Sequence, residues 1–300
     1  MFGPNFQEGH KIRCGERIQV ELEEDDSLAM EVILKALHYH KPNQCPVDAE
    51  RLASIAVHCD KYDCTGALSS WISYWLNNLT PITRRPEDLG FLLLAAYNFD
   101  DAEQFKEISA RALRDLTLDF PLAWKSYNIL SLLPENIPSI MTTQIQGMLR
   151  QLHIITQSVE TILRQNKSGY EMQRQVCMNC GRTPPMEARK CHPCNNPTLY
   201  QRYCTFESRV AEYFAILAKE ELWPSVTPFE ICSLSDLVLR LTCAKNDVKH
   251  SCVAGSRCPL NSELGQLCDR VCRFETGVVG LCLRCVKRGE WNESQSCTCT

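Results

Sequence analysis

The chain has 300 residues, 44% of them hydrophobic, with a formal net charge of -4 and a mean hydropathy of -0.23. That is enough for about two domains with real cores. It excludes a membrane-spanning class, because the longest apolar run, Gly90 to Ala96, is far short of the ~20 residues a membrane helix needs. It also argues against a dedicated nucleic-acid binder: residues 1–50 hold ten acidic side chains against five basic, residues 171–300 are only slightly basic, and no dense Lys/Arg stripe is present.

Met1 to His10 has neither a charged n-region nor an apolar h-region, so nothing in it points to export. The expected location is the cytoplasm, the nucleus or both, where clustered thiols are metal ligands more often than cystines. Asn78-Leu-Thr80, Asn166-Lys-Ser168 and Asn292-Glu-Ser294 match the glycosylation sequon but are expected to carry no sugar without export. Cys297-Thr-Cys-Thr300 lacks the aliphatic pair of a prenylation box.

In chain order, Ile18-Gln-Val-Glu-Leu22 alternates apolar and polar and predicts a half-buried strand with Ile18, Val20 and Leu22 inward. Asp25, Asp26 and Ser27 offer caps for a helix whose predicted core face is Met30, Ile33, Leu34 and Leu37. Pro46 and Asp48 start a second helix with Leu52, Ile55, Ala56 and Cys59 inward. Thr65 is the expected cap of a third, with Leu68, Trp71, Ile72 and Trp75 on its core face. His38 and His40 are two apart and share no helix face, so they predict no metal site. Cys59 and Cys64 read as small buried apolar side chains.

Met1-Phe-Gly-Pro-Asn-Phe-Gln-Glu-Gly9, the segment Ile18 to Leu22, Glu23-Glu-Asp-Asp26, Ala36-Leu-His-Tyr39 and Cys59-Asp-Lys-Tyr-Asp-Cys64 together resemble a BTB/POZ domain of the filamentous-fungal type, over residues 1–78. A complete domain of that family begins with a strand, helix and strand that this chain lacks, so the resemblance implies a truncated front whose single strand has no ladder partner. The family's homodimer interface relies on the missing first helix, and homodimerisation is therefore not carried over. Some relatives recruit a cullin ubiquitin-ligase scaffold through a hydrophobic-x-Glu turn before that strand. Phe6, Gln7 and Glu8 stand at the matching place, so the resemblance implies a partner-binding turn there. The competing reading packs Phe6 on its own domain and leaves Glu8 solvated.

The middle, residues 79–165, predicts helices. Pro86-Glu-Asp-Leu starts one with proline and two acids in its first turn. Asn98 to Asp101 break it, and Ala102 to Leu116 follow with Phe105, Ile108, Ala112 and Leu113 on one face. Ile137 to Leu163 predict a long helix whose apolar face, Ile140, Ile145, Met148, Leu149, Leu152, Ile155, Val159 and Leu163, is expected as intramolecular core, with a coiled-coil partner surface as the alternative. Gln165 to Gly169 is polar and reads as a flexible join.

Fifteen of the nineteen cysteines follow residue 176, and residues 170–300 predict a cysteine-rich, zinc-stabilised region with helices. Cys177-Met-Asn-Cys180 and Cys191-His-Pro-Cys194 present two C-x-x-C pairs across a ten-residue loop, the pattern that offers four thiolates to one tetrahedral zinc ion. Arg182, Arg189 and Lys190 lie in the loop to offset the charge, and His192 is a minor substitute ligand. A second site is expected from Cys252, Cys258, Cys282 and Cys285, with His250 or Cys243 able to replace one of them. Leu264, Leu267, Cys268 and Val271 form a helical stripe, so Cys268 and Cys272 read as core. Gly280-Leu-Cys-Leu-Arg-Cys285 also resembles the end of the fungal BTB-containing proteins.

Cys204 stands alone after Cys194, which breaks the eight-ligand series of a RING domain. Pro184-Pro185 argues against a thioredoxin-like C-x-x-C. The expected fold is mainly α (α+β): a truncated BTB/POZ-like front, a helical middle and a small zinc-stabilised rear holding one or two structural ions. The expected function is non-catalytic protein–protein interaction, as a substrate adaptor for a cullin-based ligase. A nuclear zinc protein that contacts DNA and a thiol-disulfide oxidoreductase are the alternatives.

Overall fold

The computed structural model describes residues 10–11, 13–15, 24–38, 46–81, 85–248 and 251–290. The expected strand Ile18 to Leu22, the turn Phe6-Gln7-Glu8, and His40, His250, Cys297 and Cys299 lie outside the described residues.

Short polar side chains set where the helices begin. Asp26 caps α1 (Ser27–Leu37) by accepting from the backbone N–H groups of Leu28 and Ala29, and Asp48 caps α2 (Ala49–Lys61) through Arg51. The next helix, α3 (Ser69–Leu79), is entered through a 3₁₀ turn, Gly66–Leu68. Thr65 therefore makes no capping bond, and Leu68 takes the cap position instead. Proline at its first position and Glu87 and Asp88 in its first turn begin α4 (Pro86–Asn98); Asp101 caps α5 (Ala102–Asp115). The short α6 (Phe120–Trp124) leads to α7 (Asn136–Gln165), the longest element. Two strands follow, β1 (Tyr170–Cys177) and β2 (Leu199–Cys204), then α8 (Phe206–Lys219), α9 (Pro228–Ile231), α10 (Leu234–Ala244), α11 (Pro259–Thr276) and α12 (Leu283–Arg288).

The chain is thus mainly helical, with one small antiparallel sheet among the described residues. The centre of the front layer is α4. Every residue from Leu89 to Ala96 is buried, because α2, α5 and α6 cover it from different sides. A helix apolar around its whole circumference is stable only when enclosed in this way. No helix among the described residues is long and apolar enough to cross a membrane.

The rear is organised around α7, which packs against α5, α8, α9, α10 and α11. Its buried stripe is Ile137, Met141, Ile145, Leu149, Leu152, Thr156, Val159 and Leu163. Each large apolar member contributes roughly 1.5–3 kcal/mol by leaving water. The one hydroxyl in that stripe, Thr156, donates back to Leu152 O, and Tyr213 on α8 donates to Thr156 O at 2.7 Å. Buried side chains form one continuous core from Ala29 to Val286, so the three predicted segments share it.

In α1 the inward stripe is Ala29, Val32, Ile33 and Ala36, while Leu34 and Leu37 face out and Met30 is half-buried. The two candidate stripes lie one residue apart and both are apolar. Alanine at two of the four inward positions lets α1 approach α2 closely, which the larger Leu34 and Leu37 would prevent.

The α1–α2 pair is pinned by a polar cluster. The carboxylate of Asp25 accepts from Tyr62 Oη and from Lys61 Nζ at 2.9 Å, and Asp26 N–H donates to His58 Nε2 at 3.0 Å. The hydrogen bond from Tyr62, then that from Lys61, holds the Asp25 carboxyl below its ordinary range. A folded pKa below the unfolded ~3.9 gives stability that is present above about pH 4 and lost as pH falls through the lowered value. Asp25→Asn is therefore expected to lower the urea midpoint at neutral pH, with the gap to wild type closing in acid. A gap that stays constant from neutral pH to strong acid would contradict that role.

Candidate metal centres

The two strands pair antiparallel, with Val176 opposite Tyr200, Cys177 opposite Leu199 and Tyr170 opposite Cys204. On its other edge β1 is bonded to two further segments. Gln175 N–H donates to Pro184 O at 3.1 Å, Gln173 N–H to Ser251 O at 3.0 Å, and Val253 N–H to Glu171 O at 2.9 Å. β1 is thus the centre of a small platform with a cysteine group at each end.

At the tip, Cys177, Cys180, Cys191 and Cys194 bring their four sulfurs within 4.8 Å of one another. Each C-x-x-C pair is followed by a residue in the left-handed region, Gly181 at φ 68° and Asn195 at φ 54°. Glycine and asparagine are the residues that tolerate that turn. It lets Gly181 N–H bond Cys177 O at 2.9 Å, closing one knuckle, while Cys191 N–H bonds Asn196 O at 2.8 Å in the other. Sulfur separations are 3.4 Å for Cys177–Cys194, 3.5 Å for Cys180–Cys191 and 3.4 Å for Cys180–Cys194. A zinc–sulfur bond of ~2.3 Å in a tetrahedron requires edges of about 3.8 Å, so the cage is within a few tenths of an ångström of zinc size.

Cys177 and Cys191, the first member of each pair, are buried; Cys180 is exposed. Hydrogen bonds from the backbone, Cys180 first and then Asn179, hold the Cys177 thiol down to about 6. Burial pushes Cys191 up to about 12. A cation entering the cage would find one donor already poised as thiolate and would have to displace the proton of another. Arg182, Arg189, Lys190 and His192 are exposed around the tip, and His192 is not in the group.

A second group lies at the opposite end of the platform: Cys204, Cys252 and Cys258, all buried, with sulfurs within 4.8 Å of one another and Cys204–Cys258 at 3.8 Å. Cys204 ends β2 and precedes Thr205, which caps α8 in a reciprocal box with Ser208. Cys252 is bridged to Met172 on β1, and Cys258 occupies the cap position of α11. The structure thus joins Cys252 and Cys258 to Cys204 and not to Cys282, Cys285 or Cys243.

The reason is where the C-terminal segment docks. Leu283 and Val286 on α12 are buried, α12 packs on α5, Leu281 N–H donates to Ser109 Oγ at 2.8 Å, and Asn136 Nδ2 donates to Val286 O. Cys282 and Cys285 are carried with that segment, at the start and middle of α12, and Cys243 lies exposed near the end of α10. Cys268 is buried, with its thiol directed at Leu241 O, and Cys272 is exposed.

Both cysteine groups are chemically able to hold a metal ion. No family model, curated protein or solved structure matches this chain.

The sequence carried a signal for the strands in the alternation of Tyr170, Met172 and Val176 and in the aromatic residues of β2, but both are short and half-exposed. Cys204 had no local signal, since no neighbour in sequence shares its site. Only the pairing of β2 and of residues 251–253 with opposite edges of β1 brings it to Cys252.

Proposed function

We propose that this chain is a non-catalytic protein-interaction protein of the BTB type, in which the hairpin tip binds one structural zinc ion. The observation that carries the reading is the closed cage of Cys177, Cys180, Cys191 and Cys194. With all four positions taken by thiolates, a bound zinc has no place for water or substrate, and its chemistry is structural. The interaction role draws on the likeness of residues 1–78 to BTB/POZ domains and on α1, whose Leu28, Leu34 and Leu37 lie exposed as apolar surface of the kind a protein partner covers.

The specific role is substrate adaptor for a cullin-based ubiquitin ligase, with Phe6, Gln7 and Glu8 as the contact. Immobilised full-length chain is expected to retain the cullin scaffold, and Phe6→Ala with Glu8→Ala to lose that retention at least tenfold. Absence of binding by the wild-type chain, or binding untouched by both substitutions, rules the role out.

A second reading is favoured by the surface of the hairpin, where Arg174, Arg182, Arg189, Lys190 and Arg202 are exposed beside the exposed rings of Tyr200 and Tyr203. Basic side chains interleaved with aromatics suit a nucleic-acid strand. On this reading the protein is a nuclear zinc protein that contacts DNA, and its retention on DNA falls with salt and is weakened by Arg182→Ala and Arg189→Ala. Retention indifferent to both salt and substitution excludes it.

A further inference from the structure

We infer that Cys204, Cys252 and Cys258 form a second divalent-metal site, a three-thiolate centre in the protein core whose negative charge is balanced by the buried guanidinium of Arg209. The separation of 3.8 Å between the sulfurs of Cys204 and Cys258 equals the edge of a tetrahedral zinc–thiolate cage and is far beyond the ~2.05 Å of a disulfide. The three donors come from two distant stretches of chain, the end of β2 and residues 252–258, and each is fixed by structure around it. Cys204 is held by the end of β2, Cys252 by its bridge to β1, and Cys258 by the turn Gly255–Arg257 that opens α11.

Arg209 is the independent observation. It is fully buried on α8, one turn after Cys204. Its Nη1 donates to Ser168 O at 2.8 Å and lies 3.4 Å from Cys204 O and 3.5 Å from Cys204 Sγ, and its Nη2 donates to Asn166 O at 2.5 Å. Its Nε is buried with no partner. Among the described residues it forms no salt bridge; the exposed carboxylate of Glu207 on the same helix, held below its ordinary range first by a hydrogen bond from Thr205, feels the charge of Arg209 only as a lesser influence. A guanidinium keeps its charge in any protein, and a cation enclosed without a counter-charge is strongly unfavourable.

If the three cysteines were neutral thiols, this cation would be contacted by carbonyl oxygens and a sulfur lone pair alone, with the solvent-exposed, screened Glu207 as its carboxylate influence. If they hold a divalent cation as thiolates, the centre with a neutral fourth donor carries one net negative charge, which the single positive charge of Arg209 cancels. Donation of N–H to a ligating sulfur is the usual way a protein steadies a metal thiolate. Cys204 lies just before the cap of α8 and Cys258 is the cap of α11, so both face favourable dipole ends. Loading the site releases the three thiol protons as three metal–sulfur bonds form. It would tie the platform to α8 and α11, and through Arg209 to the Asn166–Ser168 join, which is thereby held in place.

The test is native mass spectrometry of the full chain with Zn²⁺, together with a chain carrying Cys180→Ser and Cys194→Ser. Two ions in wild type and one in the double variant are expected. In that background Co²⁺ should give thiolate charge-transfer absorption of three-sulfur intensity, lost with Cys258→Ser. Arg209→Met should lower Zn²⁺ affinity at the remaining site at least tenfold in chelator competition. In a chain with Cys258→Ser, the affinity at the hairpin tip should stay as in wild type. A single ion in wild type that disappears in the double variant overturns the proposal while leaving the hairpin site intact. An affinity unchanged by Arg209→Met overturns the charge-balance role. Should the double variant not fold, the wild-type count of two against one still decides.

Discussion

Cys191→Ser is expected to remove one metal ion per chain and to unfold the hairpin tip while α1 to α12 keep their helical signal. Apart from a few backbone hydrogen bonds, the tip has little of its own to hold it together. Between residues 178 and 198 only Cys191 is buried, and neither it nor Cys177 belongs to the continuous hydrophobic core. A segment of this size without apolar burial cannot offset the ~1–2 kcal/mol per residue of backbone entropy that ordering costs. Zinc in a four-thiolate cage supplies about 10–16 kcal/mol, which is ample. Serine at Cys191 leaves an incomplete cage, and the knuckle bonds Gly181 N–H to Cys177 O and Cys191 N–H to Asn196 O then lose their anchor. Hydrogen exchange should show residues 178–198 passing to unprotected, with far-ultraviolet circular dichroism almost unchanged. Retained metal and retained protection in Cys191→Ser would show that the tip is ordered by something else.

Gly280→Ala is the second substitution with a large expected effect, although it lies in no cysteine group. Gly280 is pressed on the backbone of α5: a Cβ built there would sit 1.8 Å from Lys106 O and 2.6 Å from Ser109 Oγ. Neither neighbour can give way cheaply. Lys106 O is helix backbone, and the buried Ser109 hydroxyl donates to it at 3.1 Å while accepting from Leu281 N–H at 2.8 Å. The methyl group must lift residues 280–281 off α5, breaking a buried hydrogen bond and exposing Leu281 and the inner face of α12. The destabilisation should reach or exceed the ~3 kcal/mol upper end of ordinary overpacking, read as a lowered urea midpoint with release of the C-terminal segment to proteolysis. Gly265→Ala, in α11 with open space around the added atom, is the matched control and should stabilise by about 0.5–1 kcal/mol through helix propensity.

The sequence was legible where one physical signal dominates locally. The capping acids Asp26 and Asp48, the face Phe105, Ile108, Ala112 and Leu113, and the stripe Leu264, Leu267, Cys268 and Val271 are dictated by periodicity and short-range hydrogen bonding, and they stand in the structure as read. The four cysteines of the tip were legible for the same reason, since spacing alone brings two knuckles together. Long-range geometry was not. Two apolar stripes compete on α1, and packing against α2 chooses the one with smaller residues. Cys282 and Cys285 have the spacing of a ligand pair, yet the close fit of Gly280 on α5 commits them to a different part of the molecule. Cys204 and Arg209 had no signal in sequence at all, because their significance comes from distant stretches meeting at the end of a two-stranded sheet.

The central claim is that the clustered cysteines are metal-held staples of a helical scaffold. It is tested most directly by elemental analysis of full-length protein purified reduced and without added metal. The prediction is zinc at two per chain, retained through gel filtration. Protein that shows its native cooperative unfolding transition while containing no bound metal would contradict it.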